Sequence, residues 1–301
     1  MTSAGGRAAD PRLLDYGRLI AVPAIWGGTF VAGKIVVASL SPLMGSFARY
    51  LIACVALLVA AVVLEGGLPR LSGRQWLGTL MLGVLGVFAY NLFFLGALEK
   101  LPASRAALII ALNPAVTIAI SALVLHEKLG ARRWLGVVIA LAGVAIVVSR
   151  GDLASLATGS VGAGEGLMFA AVVVWALYTL GGRRVMGGLT PLAATCYAAL
   201  WGTLLLGLFA APGFASLSAD SFDWRMIVSL LYLGVLGTAL AFVWYYMSVK
   251  KLGASVTSVY NNLVPVFGVA ISVLLLGEPL LVSMLVGGAV TIVGVLMVSR
   301  P

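Results

Sequence analysis

The chain has 301 residues, of which 62% are hydrophobic and only 10% charged, against about 25% charged in a typical soluble domain. Nineteen basic and ten acidic side chains cannot clothe a water-soluble globule of this size, which excludes a soluble enzyme, a disordered chain and a secreted disulfide scaffold. The net charge of +9 is dispersed over separate short loops, so no nucleic-acid partner is expected.

Residues 1–16 form a short polar tail with no cleavable signal pattern. Ten apolar segments follow, at 17–38, 43–64, 75–97, 101–124, 133–149, 164–185, 190–210, 225–248, 252–276 and 280–299. A helix needs about 20 apolar residues to span a bilayer. Barrel strands would alternate polar and apolar residues over about ten positions, and these runs do not. The expected fold is an all-α integral membrane protein of ten transmembrane helices. The stretches 150–163 and 211–224 read as loops. Cys54 and Cys196 lie inside apolar runs and read as small core residues.

Lys and Arg favour the cytoplasmic side of a membrane. With the N-terminus inside, 13 of the 19 basic residues fall on inner segments, among them Arg70, Arg74, Arg132, Arg133, Arg183, Arg184, Lys250 and Lys251. The outer ends hold five: Lys34, Lys100, Arg105, Arg150 and Arg225. Both termini are therefore expected in the cytoplasm.

The chain repeats itself. Trp26 and Pro42 match Trp175 and Pro191 at an offset of 149. Gly83-Val84-Leu85-Gly86 matches Gly234-Val235-Leu236-Gly237 at 151, and so do Pro114 with Pro265 and Glu127 with Glu278. The reading is a first five-helix repeat at 17–150, a connecting loop at 151–163 and a second repeat at 164–301. Five crossings are odd, so the second copy is inverted, an arrangement that suits alternating access around a midplane site.

Trp26-Gly27-Gly28 in the first segment, Asn113-Pro114 in the fourth, and Leu125-His126-Glu127-Lys128 and Leu276-Gly277-Glu278-Pro279 closing the fourth and ninth resemble the drug/metabolite transporter superfamily. The resemblance runs over essentially the whole chain. It is nearest to the ten-helix amino-acid and metabolite exporters, the aromatic amino-acid exporters among them. It implies a central cavity lined by segments 1, 3, 4, 6, 8 and 9.

The residues offer the cavity its own candidates. Tyr90, Asn91 and Phe94 flank one face of the third segment, and an Asn in hydrocarbon needs partners. Trp175 and Tyr178 are three apart in the sixth segment, and Trp26 is the repeat mate of Trp175. Of the adjacent Trp244, Tyr245 and Tyr246, Tyr245 is assigned inward as the mate of Phe94, and the other two toward lipid or interface. Asn113 and Asn261 bring polar groups to the same depth. Pro114 and Pro265 lie mid-span, as fixed kinks or as hinges, and Gly83, Gly86, Gly234 and Gly237 add bending points. Lys34, Arg49 and Arg105 lie near outer ends, where long cationic side chains snorkel to headgroups. Arg49, deepest of the three, is the candidate for attracting a substrate carboxylate.

Every Glu falls at a span end and every Asp in a loop or tail, and His126 is terminal too. Facilitated diffusion or exchange therefore fits at least as well as proton antiport. Stripes of small residues, Gly136, Ala140 and Gly143 against Gly287, Thr291 and Gly294, read as helix packing within the bundle. The stretch Gly28–Lys34 nearly spells a phosphate loop, but Ile35 stands where Ser or Thr is required. No metal or cofactor motif is present. The expected partners are the lipid bilayer and a small-molecule substrate, an amino acid or similar metabolite, with the protein a monomer or weak homodimer. The rivals are an exporter of drugs or another metabolite class, a channel, and a membrane-embedded lipid-modifying enzyme.

Overall fold

The computed structural model describes residues 11–126, 129–156, 161–185, 188–216 and 223–299. Their regular structure is entirely helical, in chain order α1 (Pro11–Ser39), α2 (Pro42–Glu65), α3 (Gly73–Leu82), α4 (Tyr90–Lys100), α5 (Ala103–Ile110), α6 (Asn113–Leu125), α7 (Ala131–Val148), α8 (Ala163–Val185), α9 (Pro191–Ala210), α10 (Trp224–Leu231), α11 (Ala241–Leu252), α12 (Ala254–Asn261), α13 (Val264–Leu276) and α14 (Val282–Ser299). Short 3-10 turns, Leu153–Leu156 and Ala211–Ser216, interrupt the two stretches expected as loops. Glu127 and Lys128 lie outside the described residues. Helix α1 begins at Pro11, so the end of the expected tail is helical.

Local chemistry sets the ends. Pro42 and Pro191 open α2 and α9, where the missing N–H costs no hydrogen bond. Ser41 Oγ accepts from the Met44 amide, Thr190 Oγ1 from Ala193 and Asp223 Oδ1 from Met226, capping α2, α9 and α10. Such caps are worth about 1 kcal/mol each. Ser72 and Gln75 form a reciprocal capping box at α3.

Among the described residues nine runs are long and apolar enough to cross a membrane, Gly73–Lys100, Ala103–Val124 and Trp224–Leu252 each counting as one. The Val264–Leu276 helix is apolar but shorter. Burial is inside out. Val63 and Leu274 are 73% and 80% exposed, while Arg49, Asn91, Arg105, Glu165 and Thr238 are buried. Lipid solvates the apolar rim, and the polar groups must find partners inside.

Two features break helical regularity, and each occurs twice. Residues Gly83–Ala89 and Tyr232–Leu240 are π-helical. The Tyr90 amide bonds the Leu85 carbonyl and the Ala241 amide bonds Leu236, each five residues back. The second feature lies before the prolines. A kink or hinge was expected there, and a two-residue turn interrupts the helix. Leu112 N–H bonds Ile109 O and Leu263 N–H bonds Tyr260 O as tight turns, and α6 and α13 restart with Pro114 and Pro265 in their first turn. A proline ring clashes with the carbonyl four residues back in a continuing helix, and the first turn avoids that clash.

The small-residue stripes pack inside the bundle, as expected. A β-carbon on Gly136 would lie 2.8 Å from the Gly294 carbonyl, and one on Gly143 would lie 2.6 Å from Gly287 O. Backbone meets backbone along α7 and α14, a contact only small residues allow.

Candidate functional site: a polar bridge flanked by two aromatic groups

Where a helix takes an extra residue, backbone carbonyls lose their regular partners, and side chains must satisfy them. At the first π segment Asn91 does this. Its Nδ2 donates to Val87 O at 2.9 Å and Gly86 O at 3.4 Å. At the second, Trp26 Nε1 donates to Gly237 O at 3.1 Å, and Thr238 Oγ1 donates to Leu233 O at 2.8 Å. Gly83 and Gly86 permit close packing at the first segment. A β-carbon on Gly83 would strike the Ala198 carbonyl and Trp201, and one on Gly86 would enter the Tyr178 ring. At the second, Gly234 faces Ile52 and the Arg49 backbone, and Gly237 faces Thr29.

Arg49, on α2, joins the two segments. Its Nη1 donates to Asn91 Oδ1 at 2.8 Å and its Nη2 to Thr238 Oγ1 at 3.3 Å. Its Nε has no hydrogen-bond partner. The side chain is 6% exposed, and none of the ion pairs among the described residues includes it. The Tyr50 ring adds compensation, its centroid 5.4 Å from the guanidinium carbon. Burying a cation without a counter-ion costs several kcal/mol. Of the two readings given to Arg49, snorkelling to headgroups does not fit its burial and inward bonds.

Lys34 and Arg105 also turn inward. Lys34 Nζ donates to the carbonyls of Leu98 at 2.7 Å and Leu101 at 2.9 Å, placing a cation at the C-terminus of α4. Arg105 Nη1 pairs with Glu165 Oε1 at 2.7 Å, both buried. Glu278 accepts from the amides of Ala103 at 2.7 Å and Ser104 at 2.8 Å, and from Ser104 Oγ. An acid at the start of α5 and a cation at the end of α4 both complement the helix dipoles. Partners inside protein beat snorkelling here because these carbonyls, amides and the Glu165 carboxylate would otherwise lack matches.

The expected aromatics form two groups. Tyr90 lies 5.1 Å from Trp175 and 5.7 Å from Phe94, and Trp175 lies 5.4 Å from Tyr178. Phe94 packs on Phe30 and is 2% exposed, so it belongs to the core of this group. Trp26 lies 5.6 Å from Tyr245 and 5.7 Å from Phe242. Tyr246, assigned to lipid or interface, instead packs on Tyr245 and meets the Thr195 hydroxyl at 3.2 Å. Asn113 Oδ1 and Asn262 Nδ2, beside the two helix breaks, are buried without a hydrogen-bond partner. A cavity of about 370 Å³ lies at the apolar outer surface between α2 and α9, beside Leu51, Cys54 and Leu204, and includes none of these residues.

Thr238, Phe30, Phe242 and Glu278 as a clamp were not read from the sequence as site residues. Thr238 carried one signal: it follows Gly237 where the first copy has Val87 after Gly86.

An all-helical membrane protein whose interior holds a polar bridge between repeated, irregular helices is built for moving a solute. The EamA-like transporter family matches the chain twice, over residues 17–149 and 162–300. The chain belongs to that family, within the drug/metabolite transporter superfamily, and is a membrane transporter. It is 28% identical over 284 residues to the uncharacterized transporter YyaM of Bacillus subtilis, covering 94% of this chain and 93% of that one. It is 28% identical to the "probable terminal-alkyne amino-acid exporter" of Streptantibioticus cattleyicolor, covering 94% and 92%. It is 27% identical to the uncharacterized inner membrane transporter YedA of Escherichia coli, covering 88% and 84%. A crystal structure 18% identical superposes with a TM-score of 0.67 over 95% of this chain and 97% of that chain, which shows a shared fold.

Proposed function

We propose that this protein exports small metabolites, neutral and aromatic amino acids foremost, across a bacterial inner membrane by alternating access. The observation that carries the reading is the bridge from Arg49 to Asn91 and Thr238, with aromatic groups on either side. An amino acid offers a carboxylate to a cation and an apolar side chain to aromatic walls. The relative from Streptantibioticus cattleyicolor, named for amino-acid export, and the inner-membrane relative from Escherichia coli support the substrate class and the location. In this reading Trp26, Tyr90, Asn91, Phe94, Asn113, Trp175, Tyr178, Tyr245 and Asn261 surround the substrate, and Arg49 attracts its carboxylate.

The ten crossings form two inverted five-helix repeats, with α12 and α13 together making the ninth and both termini cytoplasmic. Equal element lengths support this: α5 and α12 have 8 residues each, α6 and α13 have 13, and α7 and α14 have 18. The halves rock about the π segments and the breaks before Pro114 and Pro265. The ties of Lys34, Arg105 and Glu278 hold the outer end shut in this conformation. The working unit is a monomer or a weak homodimer, and the substrate leaves chemically unchanged.

The test is efflux of labelled phenylalanine, threonine and methionine from loaded proteoliposomes, with Trp175→Ala alongside. Saturable efflux lost in the variant is expected. No amino-acid efflux from folded protein would overturn the amino-acid reading in favour of a drug or other metabolite. Normal efflux in the variant would remove Trp175 from the site.

A further inference from the structure

A guanidinium presents two edges that can grip a planar anion. One is the Nη1–Nη2 end, the other the Nε–Nη2 side. In Arg49 the end is divided between Asn91 and Thr238, at 2.8 Å and 3.3 Å. The side is nearly free, because Nε is unpartnered and Nη2 has only the long bond to Thr238. Asn91 is itself held by two carbonyls, so the group is fixed at Nη1 while Nε stays buried and unpartnered.

We propose that the Nε–Nη2 edge of Arg49 is the docking fork for a substrate carboxylate, and that the carboxylate takes Nη2 from Thr238. Loading thereby removes a bond that ties α2 and α4 in the first copy to the π segment of the second. Thr238 loses little when released, since its hydroxyl proton already goes to Leu233 O at 2.8 Å. The empty site keeps an uncompensated buried charge, and the loaded site neutralises it. A carboxylate is consequently a requirement of transport. An amide brings N–H donors against N–H donors and cannot fill the fork. Trp26 donates to Gly237 O, one residue from Thr238, so the second aromatic group senses the same release.

The inference rests on the proposed reading in which Arg49 attracts a substrate carboxylate, and it adds which edge of the guanidinium does so. The experiment uses proteoliposomes loaded with labelled phenylalanine, and measures inhibition by 3-phenylpropionate, phenylalaninamide and 2-phenylethylamine. 3-Phenylpropionate should compete, and the two compounds without a carboxylate should be weaker by about a hundredfold, as expected for unmatched buried polar groups. Arg49→Lys keeps the charge but loses the fork and should raise KM about tenfold or more. Thr238→Val removes the competing hydroxyl and should lower KM by about threefold, the worth of a weak hydrogen bond. Inhibition by the amide equal to that by phenylalanine, or an unchanged KM in Arg49→Lys, would overturn the fork while leaving the exporter reading intact.

If no amino acid is moved, thermal unfolding of detergent-solubilised protein decides with 3-phenylpropionate and its amide. Stabilisation by the acid alone, lost in Arg49→Lys, upholds the fork without the exporter reading. Equal stabilisation by both, or by neither, sinks it.

Discussion

The two π segments share a backbone and differ in chemistry. Gly83–Ala89 and Tyr232–Leu240 each pass their last amide to a carbonyl five residues back. At the first, Asn91 satisfies the loosened carbonyls from within its own helix. At the second, where Phe242 stands in the place of Asn91 at the 151-residue offset, Thr238 donates from within the segment and Trp26 donates from the other copy. Arg49 likewise has Ala198 as its counterpart at 149. Repetition has preserved the π-helical geometry while one copy keeps the buried arginine.

That contrast can be broken by substitution. The largest effect is expected at the buried ion pair that joins the two copies. Arg105 pairs with Glu165 at 2.7 Å, whereas its counterpart, Val256, is 43% exposed. Glu165→Gln leaves a buried guanidinium uncompensated and should cost about 3–5 kcal/mol, read as a large fall in the unfolding temperature in detergent. A fall of only a degree or two would mean that water reaches Arg105.

The glycines come next. A β-carbon on Gly86 enters the rigid Tyr178 ring, while one on Gly237 meets the Thr29 methyl at 2.8 Å. Gly86→Ala should cost about 1–3 kcal/mol by overpacking, and Gly237→Ala less. Equal melting temperatures for the two variants would remove this asymmetry. Trp26→Phe deletes the bond to Gly237 O and should cost about 1 kcal/mol. Hydrogen exchange should then speed up at the second π segment and not the first. The smallest effect is expected for Lys251→Ala, whose exposed pair with Asp15 is worth at most about 1 kcal/mol. Melting curves in low and high salt would expose a larger role.

Much of the frame was legible because lipid makes blunt demands. Apolar runs marked nine of the ten expected spans within a few residues, and glycines at a fixed offset marked the two irregular places. The aromatics at 26, 90, 175, 178 and 245 were legible from spacing and repetition. What sequence hid were bonds joining distant segments. Arg49 was read as the candidate for a substrate carboxylate, but its partners Asn91 and Thr238 lie 42 and 189 residues away along the chain. Nothing local announces such partners. The π geometry was hidden too, since an extra residue in a turn leaves the apolar pattern intact. The prolines signalled a bend, but whether a helix bends or restarts depends on the turn before it.

The glycine contact between α7 and α14 sets a condition on how the protein is made. About 130 residues separate the end of α7 from the start of α14. At about 5–20 residues per second of synthesis, α7 waits roughly seven to thirty seconds before its partner exists. Its glycine face is without that partner through the interval. The contact is therefore among the last the chain can make.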